Sequence, residues 1–327
     1  MTNRRNFLLL LIFLCLRPPV FSQDSLILGE FTVSKIIDGD TFKFEELNRP
    51  TRLLGIDAEE MYKGKDAEAK TNELRGNWSA VYDSARAKER KPIKHDSPFG
   101  YDTWLWTEEV FKDVRKVRLE KEDNERFIDT YGRYLVYLIG IRHDGTEFNY
   151  NIESVRQGYS AYFTKYGYSK RFNSEFTTAQ KYAQEKKLGI WSGEKQCYPD
   201  YKERIVWWNR RADAIRNFEM KYKGRKGYYS IMNEKDFHDL QNHISDEIII
   251  FGSIIEIHKD KEPYLIRFSY SATEHLDLTV FKENARLMEK LKIDDLEGEF
   301  VYVKGKLKSY EGKYEIDLTN KKQLWVE

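Results

Sequence analysis

The junction Ile37-Asp38-Gly39-Asp40-Thr41 constrains the fold more than any other stretch of the chain. β-formers fill Phe31 to Ile37, an Asp-Gly pair interrupts them, and Thr41 to Phe44 resumes the same character. The chain is therefore expected to reverse within a tight turn. Pro50 marks the next break, and Thr51 to Ile56 supplies a third run. Short strands joined by tight turns point to a small meander or barrel. The third run leads into Arg52-Leu53-Leu54-Gly55-Ile56-Asp57-Ala58-Glu59-Glu60, which starts on a cation and ends in carboxylates. If these runs pair as neighbouring strands, Asp40 and Asp57 converge, with Arg52 and Glu60 close by. Two carboxylates and a backbone carbonyl suit a hard cation such as calcium. A further Glu suits deprotonation of water, and an Arg suits phosphate. The same residues also read as an ordinary hairpin turn followed by an exposed acidic loop.

A length of 327 residues suggests two domains. Residues 1–22 stand apart from both. Arg4 and Arg5 precede the apolar run Phe7 to Leu16, and Val20-Phe21-Ser22 offers a cleavage site, the layout of a secretory signal peptide. The expected location is thus secreted or cell-envelope. No later stretch approaches 18 apolar residues, so no stable membrane insertion is expected after cleavage. The whole chain carries 55 Lys and Arg against 54 Asp and Glu. Loss of Arg4, Arg5 and Arg17 with the signal leaves 52 basic residues against the same 54 acids. A globally basic nucleic-acid binder is not indicated, so polyanion binding has to come from local patches. Cys15 leaves with the signal and Cys197 is left without an intrachain partner. The 6 histidines show no paired-ligand spacing, which argues against a histidine-based zinc or HNH-type nuclease.

Beyond Glu60 the composition turns charged and helix-favouring from Lys65 to Lys91, with Gly76 opposing one unbroken helix; this has the character of a surface insertion over 61–98. A helical pattern from Tyr101, a strand at Val114 to Leu119, the strong strand Tyr134 to Ile141 and helices at Asn149–Gln157 and Asn173–Lys187 follow. Five strands with helices at the joints fit an OB-type barrel. Ile37-Asp38-Gly39-Asp40-Thr41, Arg52 to Glu60, Asp129-Thr130-Tyr131-Gly132-Arg133, Val155-Arg156-Gln157-Gly158 and Lys187-Leu188-Gly189-Ile190-Trp191-Ser192 occur in the order seen in staphylococcal-nuclease-like (thermonuclease) proteins. The resemblance covers Phe31 to Ser192, about half of the chain.

That resemblance implies calcium-dependent endonucleolytic hydrolysis of DNA and RNA leaving 3′-phosphate ends, with single-stranded or unpaired regions preferred. It implies calcium binding by the Asp40 and Asp57 carboxylates and the Ala58 carbonyl. It implies Glu60 as general base, Arg52 and Arg133 as phosphate and transition-state stabilisers, and nucleotide contacts at Tyr131 and Tyr166. Asp38 reads as a turn residue, Arg133 as a partner for Asp129, and the tyrosines equally as core. Two departures from the family pattern stand out. Glu59 occupies the place of a Pro, where a second carboxylate would attract a cation or raise the pKa of Glu60. The 61–98 insertion is far longer than the family's connection, reading as lid, filter or decoration.

The rest of the chain reads as a helical connector over 196–226, carrying Trp207, Trp208, Arg210 and Arg211, then a β-rich unit over 227–327. Glu299 to Leu307 followed by Tyr310 to Ile316 resembles the closing strands of an OB-like nucleic-acid-binding domain, serving either as a single-strand-binding module or as a barrel packed on the first. The expected architecture is mainly β with peripheral helices (α+β): a five-stranded OB-fold nuclease barrel over 28–195 and a second OB-like barrel. Two other functions fit the same features: a catalytically inactive nuclease-like module that binds nucleic acid or protein, and a surface adhesion protein.

Overall fold

In the computed structural model, which describes residues 26–327 other than 126, 130 and 272, the alternating amino-terminal runs become β1 (Ile27–Phe31), β2 (Val33–Ile36), β3 (Thr41–Phe44) and β4 (Thr51–Leu53). Helices α1 (Ala67–Arg75), α2 (Trp78–Arg86) and α3 (Pro98–Phe111) follow, then β5 (Val114–Glu120), β6 (Tyr134–Arg142), β7 (Glu147–Asn149), α4 (Tyr150–Arg156) and α5 (Asn173–Glu185). The expected signal at 1–22 lies outside the described residues.

Hydrogen bonding runs in the order β1-β5-β6-β4-β3-β2, with β7 on β6. The expected OB-type architecture is present, and it differs from a simple five-stranded barrel in two details. The sheet has seven strands, because the first strand bends at Thr32 into β1 and β2 and a short hairpin adds β7. The ladder is also open: its two ends are β1 and β2 themselves, joined by backbone and not by a strand pair. The pairing β4–β6 is parallel, the rest antiparallel. Phe42, Leu53, Ile56, Val117, Leu119, Val136, Leu138 and Phe176 fill the space the sheet encloses.

Helix α6 (Tyr201–Tyr222) leads to the second sheet. Its strands are β8 (Tyr228–Ser230), β9 (Glu247–His258), β10 (Tyr264–Ser269), β11 (His275–Val280), β12 (Phe300–Lys306), β13 (Lys308–Tyr310), β14 (Lys313–Asp317) and β15 (Leu324–Trp325). The path is β13-β14-β11-β10-β9-β12-β15, with β8 on β9 and β11–β14 parallel. Counting a bent strand once and leaving aside the short β7, β8 and β15, both sheets run first-second-third-fifth-fourth, with third and fifth parallel. In the second unit the bend falls at Leu307, between β12 and β13, and this ladder too is open. Both units are therefore OB-like sheets of one topology, with helices around them.

The 61–98 segment is more than surface decoration. Its helices bury Leu74, Trp78 and Tyr82 against Phe99, Tyr198, Tyr201 and Trp208, a core separate from either sheet. The reason lies in spacing: Leu74, Trp78 and Tyr82 recur every fourth residue and line one face across α1 and α2. Among the described residues no helix is long and apolar enough to cross a membrane, and Cys197 forms no disulfide.

Candidate active site

Register brings the acids and the first arginine together. In the β3–β4 pair Thr41 faces Arg52, so Asp40, one residue before Thr41, lies beside the arginine. The Leu53 amide donates to the Asp40 carbonyl at 2.9 Å, which fixes that crossing. Gly55 follows with φ +72°, and the Phe176 ring occupies the space a Cβ would need. The chain thus turns back at Gly55 and returns Asp57 to the same arginine. The Arg52 guanidinium forms ion pairs with both Asp40 and Asp57, through different nitrogens. The Ala58 amide donates to Asp40 Oδ2 at 2.8 Å and the Asp57 amide to Ser160 Oγ at 2.9 Å. Asp38 accepts from the Asp40 amide and pairs with Lys63 at 2.7 Å, a turn residue as expected.

A fifth group was invisible in the sequence. Lys94, from the end of the insertion, places Nζ 2.7 Å from Asp57 Oδ1 and 3.2 Å from Glu60 Oε1. The carboxyls respond differently. Burial raises the Asp40 pKa, with Arg52 opposing that rise. Burial also works to raise Asp57, yet Lys94 and Arg52 outweigh it and hold the carboxyl down at about 2. Burial works against the charge of Lys94, but Asp57 keeps its pKa above the usual lysine value. Glu60 keeps contact with water, its side chain 38% exposed.

Glu59 does not join this cluster. It is 1% exposed and points the other way, accepting from the Tyr198 amide at 2.7 Å, the Tyr201 hydroxyl at 3.0 Å and the Ser97 hydroxyl. The expectation that it would attract a cation to the acids or perturb Glu60 is therefore corrected. Successive side chains of extended backbone face opposite ways, so Glu59 enters the helical core while Glu60 faces outward. Ser97 caps α3 by accepting from the Gly100 amide, and Gly100 lies so close to the loop that a Cβ would overlap the Glu59 and Glu60 carbonyl oxygens. The insertion, α3 and the approach to α6 thus clamp the Asp57–Glu60 backbone from behind.

Burial pushes the Glu59 pKa up to about 7 from 4.5, against the three hydrogen bonds. A carboxyl whose folded pKa exceeds its unfolded one binds the proton more readily when folded, so stability falls as pH rises between the two values. Glu59→Gln is therefore expected to gain stability over wild type on going from pH 5 to pH 8, by up to about 3 kcal/mol. Urea denaturation at the two pH values checks this; a difference between the proteins that does not change with pH contradicts it.

Arg133 reaches the neighbourhood from the position just before β6. Arg52 is paired with Leu135, and Arg133, two residues earlier, shares that face. Asp129 holds Arg133 through its Nε at 2.8 Å and its amide at 2.9 Å, as the sequence suggested, leaving the terminal nitrogens turned elsewhere. Arg52 and Arg133 line one cleft of about 1490 Å³ between the two OB-like units. Tyr131, 82% exposed, and Tyr166, 62% exposed, stand at this cleft and are not core residues. The carboxylates lie behind Arg52, which is the group common to acids and cleft. Lys165, Trp207 and Arg211 also line the cleft. Nothing in the sequence singled out Lys94 or Lys165, since each is one lysine among many and owes its place to tertiary packing.

Residues 50–193 match the family model described as Staphylococcal nuclease homologue. The match spans Arg52, Asp57, Ala58, Glu60, Tyr131, Arg133 and Tyr166, while Asp40 precedes it and rests on geometry. Over that segment the chain is similar to staphylococcal nuclease homologues, which supports a nuclease-like domain. The match does not extend to the second OB-like unit. No curated protein matches the chain.

Proposed function

We propose that the chain is an exported, calcium-dependent endonuclease that hydrolyses phosphodiester bonds of DNA and RNA and leaves 3′-phosphate ends. The observation that carries this reading is Arg52 held by two buried carboxylates, with Glu60 beside them and Arg133 facing the same cleft.

The donor chemistry suits a hard divalent cation. Among the described residues no three His, Cys, Asp or Glu side chains form a metal cage. The assigned set is instead the Asp40 and Asp57 carboxylates with the Ala58 carbonyl, all oxygen donors. The ammonium of Lys94 between Asp57 and Glu60 is a stand-in cation, on a side chain 48% exposed. When bound, calcium supplies charge stabilisation at the phosphate and favours ionisation of water.

The chain's own groups supply the rest. Glu60 takes a proton from water as the oxygen attacks phosphorus. The bond from phosphorus to the 5′ oxygen breaks, that oxygen is protonated from solvent, and the phosphate stays on the 3′ side. Arg52 Nε and the terminal nitrogens of Arg133 are the donors for the phosphoryl oxygens as negative charge accumulates.

The test is cleavage of single- and double-stranded DNA and of RNA by purified protein. Cleavage is expected with calcium and its loss in EDTA. Undiminished cleavage in EDTA removes the metal role of Asp40 and Asp57. Binding without cleavage under every condition makes the chain a binding module instead of an enzyme. Lys94→Met, which removes the competing ammonium, is expected to lower the calcium concentration needed for half-maximal cleavage; an unchanged requirement shows that Lys94 does not contend for the same oxygens.

A further inference from the structure

Lys165 is a cation without a counter-anion. Its ammonium lies 4.7 Å from the centre of the Trp207 ring and 5.7 Å from that of Tyr166, and no carboxylate pairs with it among the described residues. Other cations crowd the same indole: Lys91 at 5.3 Å and Arg211 at 5.8 Å. Those two are already engaged. Lys91 pairs with Glu299 at 2.7 Å. Arg211 is buried, donates to Ser253 Oγ at 2.9 Å, to the Lys165 carbonyl at 3.1 Å and to the Gly298 carbonyl, and lies 4.4 Å over Phe300. Lys165 is left with ring faces alone, which attract a cation but do not neutralise it.

The electrostatic surroundings agree. Burial, and then the charge of Arg211, push the Lys165 pKa down to about 8, with Lys94 and Arg204 adding to the decrease and Asp57 opposing it. A half-buried ammonium surrounded by positive charge gains most from an incoming anion. It is also continuous with the catalytic groups. Arg52 lies 5.9 Å over Phe163, two residues before Lys165, and Arg52, Arg133, Tyr166 and Lys165 line the one cleft. Tyr166 offers an exposed ring where a base can stack, next to the unpaired ammonium.

We propose that Lys165, with Tyr166 and the Trp207 face beneath it, is a subsite for a phosphodiester and base of a single-stranded polynucleotide flanking the scissile bond. This rests on the nuclease reading for its register, but not for the binding itself. Trp207 comes from α6 and Arg211 anchors that helix to the second sheet, so the second unit contributes by shaping the seat of the strand.

The experiment measures binding of fluorescent single-stranded DNA and RNA, about 12 nucleotides long, to full-length protein carrying Glu60→Gln, with calcium and across a salt series. Lys165→Met in that background keeps the apolar stem against Trp207 and removes the charge. Its affinity is expected to fall on the order of tenfold at low salt, and the slope of log K against log salt to shrink by about 0.7 for both nucleic acids. Lys165→Arg is expected to restore both quantities. Lys181→Met, on α5 and away from the cleft, makes the same change in net charge and is expected to leave the slope alone. Equal effects of Lys165→Met and Lys181→Met, or no change of slope with Lys165→Met, overturn the subsite and make Lys165 a packing residue. Strands that bind with the expected slopes but are never cut by wild type overturn the nuclease reading and leave the subsite standing.

Discussion

Glu60→Gln is expected to lower kcat on single-stranded DNA and RNA by about 10²–10⁴-fold, the usual contribution of a positioned general base. Its thermal midpoint is expected to stay close to wild type. The two halves of this expectation have separate origins in the structure. The Glu60 side chain is 38% exposed and its ion-pair partner is Lys94, which keeps its shorter contact to Asp57. Surface exchanges of this kind move stability by within about 0.5 kcal/mol. Its backbone, by contrast, is clamped: the amide donates to the Tyr198 hydroxyl at 3.3 Å and the carbonyl accepts from the Ser97 amide at 2.9 Å. Gln leaves both contacts intact and removes only the proton acceptor. Steady-state kinetics with a thermal melt on the same preparation tests the expectation; wild-type turnover in the variant removes Glu60 from the mechanism.

Arg52→Met is expected to damage fold and activity together. It leaves Asp40 and Asp57, 3% and 8% exposed, facing each other without the guanidinium between them. Breaking a buried charge arrangement from one side costs about 3–5 kcal/mol, and losing a phosphate-holding cation costs a further 10²-fold or more in rate, on the order seen for electrostatic catalytic groups. The pH dependence separates this loss from a general packing defect. Asp57 is held at about 2 by Lys94 and Arg52, below its ordinary 3.8. A depressed carboxyl contributes stability above its unfolded pKa and loses it as pH falls through the folded one. The deficit of Arg52→Met relative to wild type should therefore be largest near neutral pH and shrink between about pH 4 and pH 2. Denaturant titrations across that range decide the point, and a deficit independent of pH assigns the loss to the arginine's stem. Arg52→Lys should rescue only in part, because one ammonium cannot address two carboxylates through separate nitrogens.

The sheet was legible where period and punctuation were strong. Asp38-Gly39 and Pro50 bracket strands whose alternation survives in the fold, and Tyr134 to Arg142 is the central β6. In the second unit the run from Glu299 to Leu307 falls on β12. Bends were not legible. Nothing local marks Thr32 or Leu307 as the place where one strand leaves its partner and joins another, because the change is dictated by sheet curvature. The site divides in the same way. Asp40, Arg52 and Asp57 were readable because strand register alone brings them together. Glu59 departs from its expected place because neighbours in sequence face opposite ways along extended backbone, and its carboxylate goes to Tyr198 and Tyr201. Lys94 carries no local signal because it lies 34 positions and two helices beyond Glu60. Tyr131 and Tyr166 could not be told from packing tyrosines such as Tyr137 and Tyr150 until burial was known.

Helix α6 has a bearing on how such a chain can be recombined. Its 22 residues span about 33 Å. Near one end Tyr201 and Trp208 complete the core built by the insertion, and near the other Phe218 stacks on Phe251, 4.5 Å between ring centres. A breakpoint just after α6 would hand the aromatic face of Phe218 and the buried Arg211 to water, while one before Tyr201 would unroof the insertion and the Glu59 clamp. Neither OB-like unit is a free cassette. The smallest piece that can be exchanged with its surfaces covered is both sheets together with the helix they share.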